Sequence, residues 1–506
     1  MGTSGPDTNT ESLPSRIAAL VHAHFDGLPK RSKPIIRDDG TAEWIPMTGI
    51  VLVKGEDTPS ETLTCVAVTT GAKCLPASQI PNCKGLVLHD CHAEVLAMRA
   101  FNFWLLTECP AFFEREKESS SDASQDGGED SNEPVSSPSP YIQRRQRLDK
   151  SADSITPPLE IQPDVSIYMY CTCAPCGDAS MELLMAEQDD PTPWAIPDEP
   201  AIAEQQTLLS GRGHFSKLGI VRRKPARADA ESTKSKSCSD KIALRQVSSL
   251  LNHETSLFVA ATENAYIKGL VMPEEEISAV GVERCFGVEG RMKGLHGRRC
   301  TSSSNPGSDE KTRDRYRYEF RPIKVLSIPN TQLASLWPYR KPKASDPVPN
   351  SGENSTPSIA TQLKKAKPGT ISAIWVRAPT VDLQNENASS TVPTDNGSKN
   401  LPTLRGSKTG LFESLINGVK QGHRASAPGL RGASALSRAR MHEKGRIRPG
   451  SEYSSAFTNV VKARSNSIQA AREVLGDWVP NEGDEDWGWD LGGGLVDAHG
   501  NERRRK

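Results

Sequence analysis

The chain has 506 residues, a net charge of -1 and a mean hydropathy of -0.52, and 36% of its residues are hydrophobic. This length suffices for two or three average domains, and the polar composition indicates a folded core interrupted by polar insertions. The Met1–Pro6 stretch lacks the apolar centre of a signal peptide, and no apolar run approaches the roughly 18–20 residues that cross a bilayer. We therefore expect a protein of the cytoplasm or nucleus, with no membrane partner.

Apolar periodicity predicts, in chain order, the elements of one large α/β domain over residues 15–480. The predicted helices are Ile17–Phe25, a helix carrying Val95 to Leu105, Cys176–Ala186 and Ser239–Leu251. The predicted strands are Trp44–Lys54, Thr62–Thr70, Leu86–Leu88, Val165–Thr172, Tyr266–Met272, Phe320–Leu326 and Ile371–Val376. Low-complexity composition predicts disordered insertions near 110–163, 189–206, 300–315, 341–368 and 380–407, and an acidic, then basic, tail over 481–506.

The number and spacing of the cysteines and the local concentrations of charge indicate which functions the chain can have. Eleven cysteines, an odd number, lie at irregular spacings within the first 300 residues. In a reducing compartment such residues are core thiols or metal ligands and not disulfide partners. Lysine and arginine concentrate in residues 212–245 and 419–448. These blocks can form a phosphate-binding face or be solvated loops, and the charge pattern alone leaves both interpretations open.

Three short segments carry the residues of a metal site: Asp90–Glu94, Pro175–Asp178 and Ser237–Lys241. Each stands at the expected start of a helix, where the exposed N–H groups favour a thiolate. Zinc binds His nitrogen and Cys sulfur, and a catalytic zinc keeps one tetrahedral position for water. Glu94 follows His92 by two residues, so in a first helical turn its carboxylate can lie beside the metal and move protons.

Two cysteines are candidates for the third ligand. Zinc deaminases usually combine His-x-Glu with Pro-Cys-x-x-Cys, but here the residue three after Cys176 is an alanine. The ligand comes either from Cys173 or from Cys238. The start of a helix favours Cys238, because Cys173 is expected to belong to the preceding strand. A non-catalytic RNA-binding protein with a structural zinc is the competing interpretation, but such a site fills all four positions with protein ligands and has no use for Glu94.

In order and spacing, the three segments resemble the adenosine deaminase domain shared by RNA-editing and tRNA-specific adenosine deaminases. Further matches are Thr70–Cys74, which resembles the TGTKC stretch of that family, Lys224 with Pro225, Trp375, and Ile416–Lys420. We expect no double-stranded RNA-binding module before the pattern, and Ser180 stands where messenger-RNA editors usually carry Arg. Both features favour the tRNA branch, which acts on adenosine 37 of alanine tRNA. Another RNA substrate, a wobble adenosine or a messenger RNA, is the alternative.

The resemblance implies a cytidine-deaminase-like mixed sheet flanked by helices and enlarged by C-terminal helices. It assigns zinc to His92, Cys176 and Cys238, general acid/base catalysis to Glu94, and a substrate contact to Lys73. The implied reaction is a zinc-hydroxide-mediated hydrolytic deamination of adenosine to inosine in tRNA.

The resemblance also implies a buried inositol hexakisphosphate. The residues that match its binding positions are Lys241, Lys420, Arg99, Lys462 and Trp478. A polyanion of this charge density can be buried only against many cations. The sequence departs from the editors at Met98 and Leu244, where they carry Arg, and at Ala72, where they carry Thr.

Overall fold

The structure, a computed structural model, describes residues 11–37, 41–122, 137–145, 157–187, 217–224, 231–302, 317–342, 366–379, 404–445, 455–476, 478–479, 481–484, 487–489 and 495–497. Its α-helices are α1 (Leu13–Asp26), α2 (Ala93–Asp122), α3 (Met181–Ala186), α4 (Cys238–Ser248), α5 (Ala279–Phe286), α6 (Asn330–Leu336), α7 (Arg438–Gly445) and α8 (Ser455–Leu475). Among these described helices, none has the length and apolar character needed to span a membrane.

The strands are β1 (Glu43–Trp44), β2 (Met47–Lys54), β3 (Thr62–Thr70), β4 (Ala72–Cys74), β5 (Asp90–His92), β6 (Ile142–Arg144), β7 (Leu159–Ile161), β8 (Val165–Cys171), β9 (Ile267–Pro273), β10 (Arg299–Cys300), β11 (Tyr318–Glu319), β12 (Lys324–Ile328), β13 (Lys367–Pro368), β14 (Ile371–Val376), β15 (Arg405–Gly406), β16 (Leu411–Ile416), β17 (Val419–Lys420), β18 (Trp487–Trp489) and β19 (Leu495–Asp497).

A nine-stranded mixed sheet forms the centre of the fold. Its order is β12-β9-β8-β2-β3-β14-β16-β15, and β17 pairs with β16. The pairs β12–β9 and β9–β8 are parallel, and the others are antiparallel. Nearly every residue of β2 is buried, as expected of a strand covered on both faces. The prediction of a mixed α/β sheet with flanking helices is confirmed, and its cytidine-deaminase-like character stays a prediction.

Helices cover both faces of this sheet. On one face α1 buries Ile17, Val21 and Phe25 in a cluster shared with Trp375 of β14. Gly49 of β2 permits this approach, because a Cβ atom there would lie 2.5 Å from a methyl group of Val21. On the other face α2, α4 and α8 contribute to one large core that includes Leu96, Trp104, Ile242 and Ala463. Each large apolar side chain buried in this way stabilises the fold by about 1.5–3 kcal/mol.

Three predicted elements need correction. Leu86–Leu88 is a buried loop and not a strand, because the N–H of Leu86 bonds locally to the carbonyl of Cys83 in a turn, whereas the N–H of Leu88 bonds to the carbonyl of Gly418. The strand begins at Asp90 and pairs with β4. The strand predicted over Phe320–Leu326 is β12, displaced towards the C-terminus. The helix predicted from Cys176 begins only at Met181, after a 3₁₀ turn.

The predicted insertion over 110–163 is wrong at both ends. The helix α2 continues to Asp122, and β6 pairs with β7 inside the range. Phe112, Tyr141 and Ile161 of this range are buried in the core. The many Ser, Asp and Glu residues of the segment dominate its average composition and hide these apolar residues.

The other insertion boundaries also shift where the structure describes them. The predicted range 300–315 begins at the second residue of β10, and the ranges 341–368 and 380–407 contain the two-residue strands β13 and β15 near their C-terminal ends. The range 189–206 lies outside the described residues. Within the predicted tail, β18 pairs with β19.

Candidate active site

The structure brings His92, Cys176 and Cys238 together from three different elements. His92 ends β5, Cys176 follows β8, and Cys238 begins α4. The sulfurs of Cys176 and Cys238 lie 3.8 and 3.7 Å from Nδ1 of His92, and the three ligand atoms lie within 4.8 Å of one another. Sulfur at 2.3 Å and nitrogen at 2.1 Å from a tetrahedral zinc would be about 3.6 Å apart. The three side chains therefore fit a zinc ion with one position left for a non-protein ligand.

Local sequence explains how the two sulfurs meet. Ser237 caps α4 by accepting a hydrogen bond from the N–H of Asp240 at 3.1 Å. The first N–H of that helix, on Cys238, donates to the sulfur of Cys176 at 3.4 Å. The side chain of Cys238, which hydrogen-bonds to Cys176, is the main cause that lowers the pKa of Cys176 well below its usual value; burial opposes this shift, and Lys224 and His92 lower the pKa further. A helix start thus supplies one ligand and stabilises the thiolate of the other.

Glu94 lies on the first turn of α2 beside these ligands. Its side chain is 3% exposed, and among the described residues its Oε2 atom has no hydrogen-bond partner. Burial raises the pKa of Glu94, and the neighbouring Cys176 raises it further. A buried carboxylate oxygen without a partner is costly, so the site fits a bound water that this oxygen would contact. The unpartnered oxygen of Glu94 is therefore consistent with a metal ion that is held by His92, Cys176 and Cys238 and carries a water molecule.

A second triplet of metal-binding residue types, Cys74, Asp90 and His92, shares one member with the first. Asp90 is already paired, since the ammonium groups of Lys224 and Lys241 both contact its carboxylate. Burial opposes the charge of Asp90, but these two lysines hold its pKa well below the usual range. Because this carboxylate is occupied, the triplet with two sulfurs is the better metal site.

The sequence did not indicate a catalytic role for Lys224. In the structure this residue lies between the candidate metal site and a basic cavity. Its Nζ atom lies 2.9 Å from Asp90 and 3.2 Å from the sulfur of Cys238. Because Asp90 also contacts Lys241, a chain of charged groups joins the metal ligand Cys238 to a cavity on the far side of Asp90. The Lys224-Pro225 match was the only sequence signal for this residue.

This basic cavity has a volume of about 530 Å³. Of the residues predicted to bind a polyanion, Lys241, Arg99 and Trp478 line it. Other cations that line it are Lys236, Arg245, Arg438, Arg464 and Arg472, whereas Asp90 is its one carboxylate among the described residues. The indole ring of Trp478 lies 5.7 Å from the ammonium of Lys236 and 5.4 Å from the guanidinium of Arg472.

The cations of the cavity repel one another. Burial lowers the pKa of Arg245, and the neighbouring Arg464 and Arg99 lower it further. Burial likewise lowers the pKa of Arg464. Groups held in this way are stabilised by an anion of high charge, because the carboxylates of Asp90 and Asp484 offset their repulsion only in part.

Two residues predicted for the same cavity lie elsewhere. Lys462 is exposed on α8, and Lys420 on β17 has its Nζ atom 3.6 Å from Glu413; neither is among the described residues that line the cavity. The face of α8 that meets the cavity carries Arg464, Ile468 and Arg472, whose four-residue spacing places them in one row. Lys462 is two residues out of that row. This spacing is a sequence signal that could have found Arg464 and Arg472.

The remaining predicted positions surround these two sites. Lys73 is half-buried on β4, where it pairs with Cys91, directly beside the strand that ends at His92. Its substrate contact stays a prediction. Met98 and Leu244, which replace arginines of the editors, both line the basic cavity.

The fold and the site together define a class. Three ligands for a metal, an adjacent buried carboxylate and a mixed α/β sheet are the parts of a hydrolytic metal centre of the deaminase type. Residues 67–130 and 145–296 match the model of the adenosine-deaminase (editase) domain.

Curated relatives agree with this family. The chain is 36% identical over 280 residues to tRNA-specific adenosine deaminase 1 of Schizosaccharomyces pombe. The aligned region covers 55% of this chain and 62% of the relative. The chain is 31% identical over 246 residues to tRNA-specific adenosine deaminase 1 of Saccharomyces cerevisiae. This aligned region covers 48% of the chain and 54% of the relative. A shorter similarity, 36% over 72 residues, joins it to double-stranded RNA-specific editase B2 of Rattus norvegicus, across 14% of this chain and 9% of the relative. The chain thus spans between half and two thirds of the two fungal relatives.

Proposed function

We propose that the protein is a zinc-dependent tRNA adenosine deaminase that converts adenosine to inosine. The observation that carries this proposal is the buried, unpartnered oxygen of Glu94 beside the converging ligand atoms of His92, Cys176 and Cys238. The printed names of the two fungal relatives support tRNA as the substrate class. The resemblance to the tRNA branch supports adenosine 37 of alanine tRNA as the target.

The metal ligands and Glu94 have different roles in the proposed reaction. Zinc bound by the imidazole and the two thiolates would acidify a water molecule at neutral pH. Oε2 of Glu94 would accept a proton from the water whose oxygen adds to C6 of the adenine, deliver a proton to ring N1, and assist the loss of the C6 amino group as ammonia. Its raised pKa suits this role, because a general acid/base works best when its pKa approaches the working pH. An anticodon loop suits such a site, since its bases are unstacked at small cost.

We include inositol hexakisphosphate in the proposal as a structural cofactor of the basic cavity. Seven lysine and arginine side chains line the cavity, and burial, followed by repulsion from Arg464 and Arg99, lowers the pKa of Arg245. A highly charged phosphate ester would neutralise these cations. The cavity supports the polyanion class, and the resemblance supports this particular compound.

The decisive experiment measures inosine formation on three substrates: an alanine tRNA transcript, a perfect RNA duplex and free adenosine. We expect inosine at position 37 of the tRNA and little on the others. The Glu94→Gln variant keeps the shape of the carboxylate but cannot cycle a proton, so its rate should fall at least about 100-fold. Metal content, measured on the same preparations, should be equal in the variant and the wild type.

Each outcome has a distinct meaning. Inosine formed faster on duplex RNA than on tRNA would favour the editase alternative, which the short similarity to the rat editase raises. Full activity of Glu94→Gln would refute the catalytic assignment. An inactive wild type that contains zinc would favour the non-catalytic interpretation.

A further inference from the structure

Each cysteine of the metal site is followed, two residues later, by a fully buried aspartate. Asp178 follows Cys176, Asp240 follows Cys238, and both aspartates are 0% exposed. A buried carboxylate is costly unless it is paired. The two segments that supply the sulfurs therefore depend on cations supplied from elsewhere.

One arginine reaches both aspartates. Nη1 of Arg291 lies 2.7 Å from Asp240, and Nε of the same side chain lies 4.0 Å from Asp178. Arg291 itself is 6% exposed and stands in the loop after α5. Arg284 on α5 holds only the first segment, through the carboxylate of Asp178 and its backbone carbonyl, each at 2.8 Å.

The two cysteine segments also pack directly against each other. Ser239 accepts a hydrogen bond from the N–H of Ala179 at 3.2 Å, and its own N–H donates to the carbonyl of Cys176 at 3.0 Å. Gly177 packs against Ser237 so closely that a Cβ atom would lie 2.2 Å from its hydroxyl oxygen. A small shift of one segment therefore moves one sulfur relative to the other.

We propose that Arg291 is a positioning residue for the metal site. Through its hydrogen bond to Asp240 and its longer ionic contact with Asp178, it holds the sulfurs of Cys176 and Cys238 at the separation that one metal ion requires. Arg291 acts on the metal only through these neighbours, since its side chain contacts, within the described part of the chain, the two aspartates and the carbonyl of Ile220. The inference rests on the proposed metal-binding function of the site.

The test compares three full-length variants for metal affinity and for the ligand field of the bound metal. In Arg291→Gln the bridge is broken. In the compensated variant Arg291→Met with Asp178→Asn and Asp240→Asn, the buried charges are removed together with the bridge. The control Arg115→Gln breaks a comparable ion pair far from the metal, where Arg115 lies 2.8 Å from the buried carboxylate of Glu108.

Metal affinity is measured by competition between the purified protein and a zinc chelator of known affinity. Protein produced with cobalt supplies the visible bands of Co²⁺ bound to thiolates. We expect Arg291→Gln to bind zinc about 10- to 100-fold more weakly and to show altered cobalt bands. The compensated variant should fold and still bind zinc more weakly than the wild type, because the bridge is missing. Arg115→Gln should keep the affinity and the bands of the wild type.

Two results would overturn the inference. Wild-type affinity and cobalt bands in Arg291→Gln would show that the bridge does not position the sulfurs. Full recovery of zinc affinity in the compensated variant would show that Arg291 only balances charge. Failure of the proposed function looks different, since the wild-type protein itself would then hold no zinc.

Discussion

The Nζ atom of Lys224 lies 3.2 Å from the sulfur of Cys238. A buried cation at this distance stabilises a thiolate ligand, and the same ammonium is paired with the buried carboxylate of Asp90 at 2.9 Å. The lysine thus serves the metal site and the stability of the fold through one group.

Lys224→Met should therefore weaken both. It leaves the buried Asp90 with Lys241 as its remaining ionic partner, so the free energy of unfolding should fall by about 3 kcal/mol, and zinc affinity should fall with it. Chemical denaturation and chelator competition measure the two quantities. The matched control is Lys268→Met, whose exposed ion pair with Glu56 should contribute less than about 1 kcal/mol. Equal losses in the two variants would contradict the assigned role of Lys224.

The basic cavity should retain a polyphosphate through purification. Replacing Arg464 and Arg472 by Gln removes two cations from its wall, so the co-purifying phosphate should be lost and Tm should fall by roughly 5 °C or more. Phosphorus NMR of the denatured protein identifies the released compound. Lys462→Gln changes an exposed residue of the same helix and should leave both the phosphate content and Tm unchanged. A wild-type protein that releases no phosphate would contradict the proposed ligand.

The strands of the central sheet and the cluster of His92, Cys176 and Cys238 were accessible from sequence because each depends on local patterns. Continuous apolar runs predict β2, β3, β8 and β14, and the order His92, Cys176, Cys238 matches one family. The cavity residues were harder to predict. Which cations face one cavity depends on how α8 packs against α4, and that packing places Arg464 inward and leaves Lys462 in solvent. The bridge made by Arg291 likewise has no local signature, because its partners lie about 50 and 110 residues earlier in the chain.

Gly177 should tolerate no side chain. Its φ of 106° is a conformation that L residues rarely adopt, and a Cβ atom would lie 2.4 Å from that of Ser237. Gly177→Ala should therefore lower the free energy of unfolding by about 2 kcal/mol or more and weaken zinc binding, since the adjacent Cys176 must move. Gly297→Ala is the control, because Gly297 has a φ of 69° and open space around its Cβ position. It adds backbone strain alone, so zinc binding should be unchanged.

His22 should make stability depend on pH. It is buried between α1 and β8, where Nε2 lies 2.9 Å from the hydroxyl of Tyr170, and burial lowers its pKa to about 4. The unfolded state, with a pKa near 6.5, binds the proton first as pH falls. The stabilising effect of neutral His22 is therefore fully present above about pH 6.5 and decreases towards pH 4, by about 3 kcal/mol in total.

Denaturant titrations at pH 7.5 and pH 4.5 measure this loss against variants. His22→Gln should show a smaller decrease in the free energy of unfolding than the wild type over this interval, because it removes the titrating group. Tyr170→Phe keeps the histidine buried and removes only its hydrogen-bond partner, so it should retain the pH dependence of the wild type. If Tyr170→Phe also removes the pH dependence, the hydrogen bond and not burial controls this histidine.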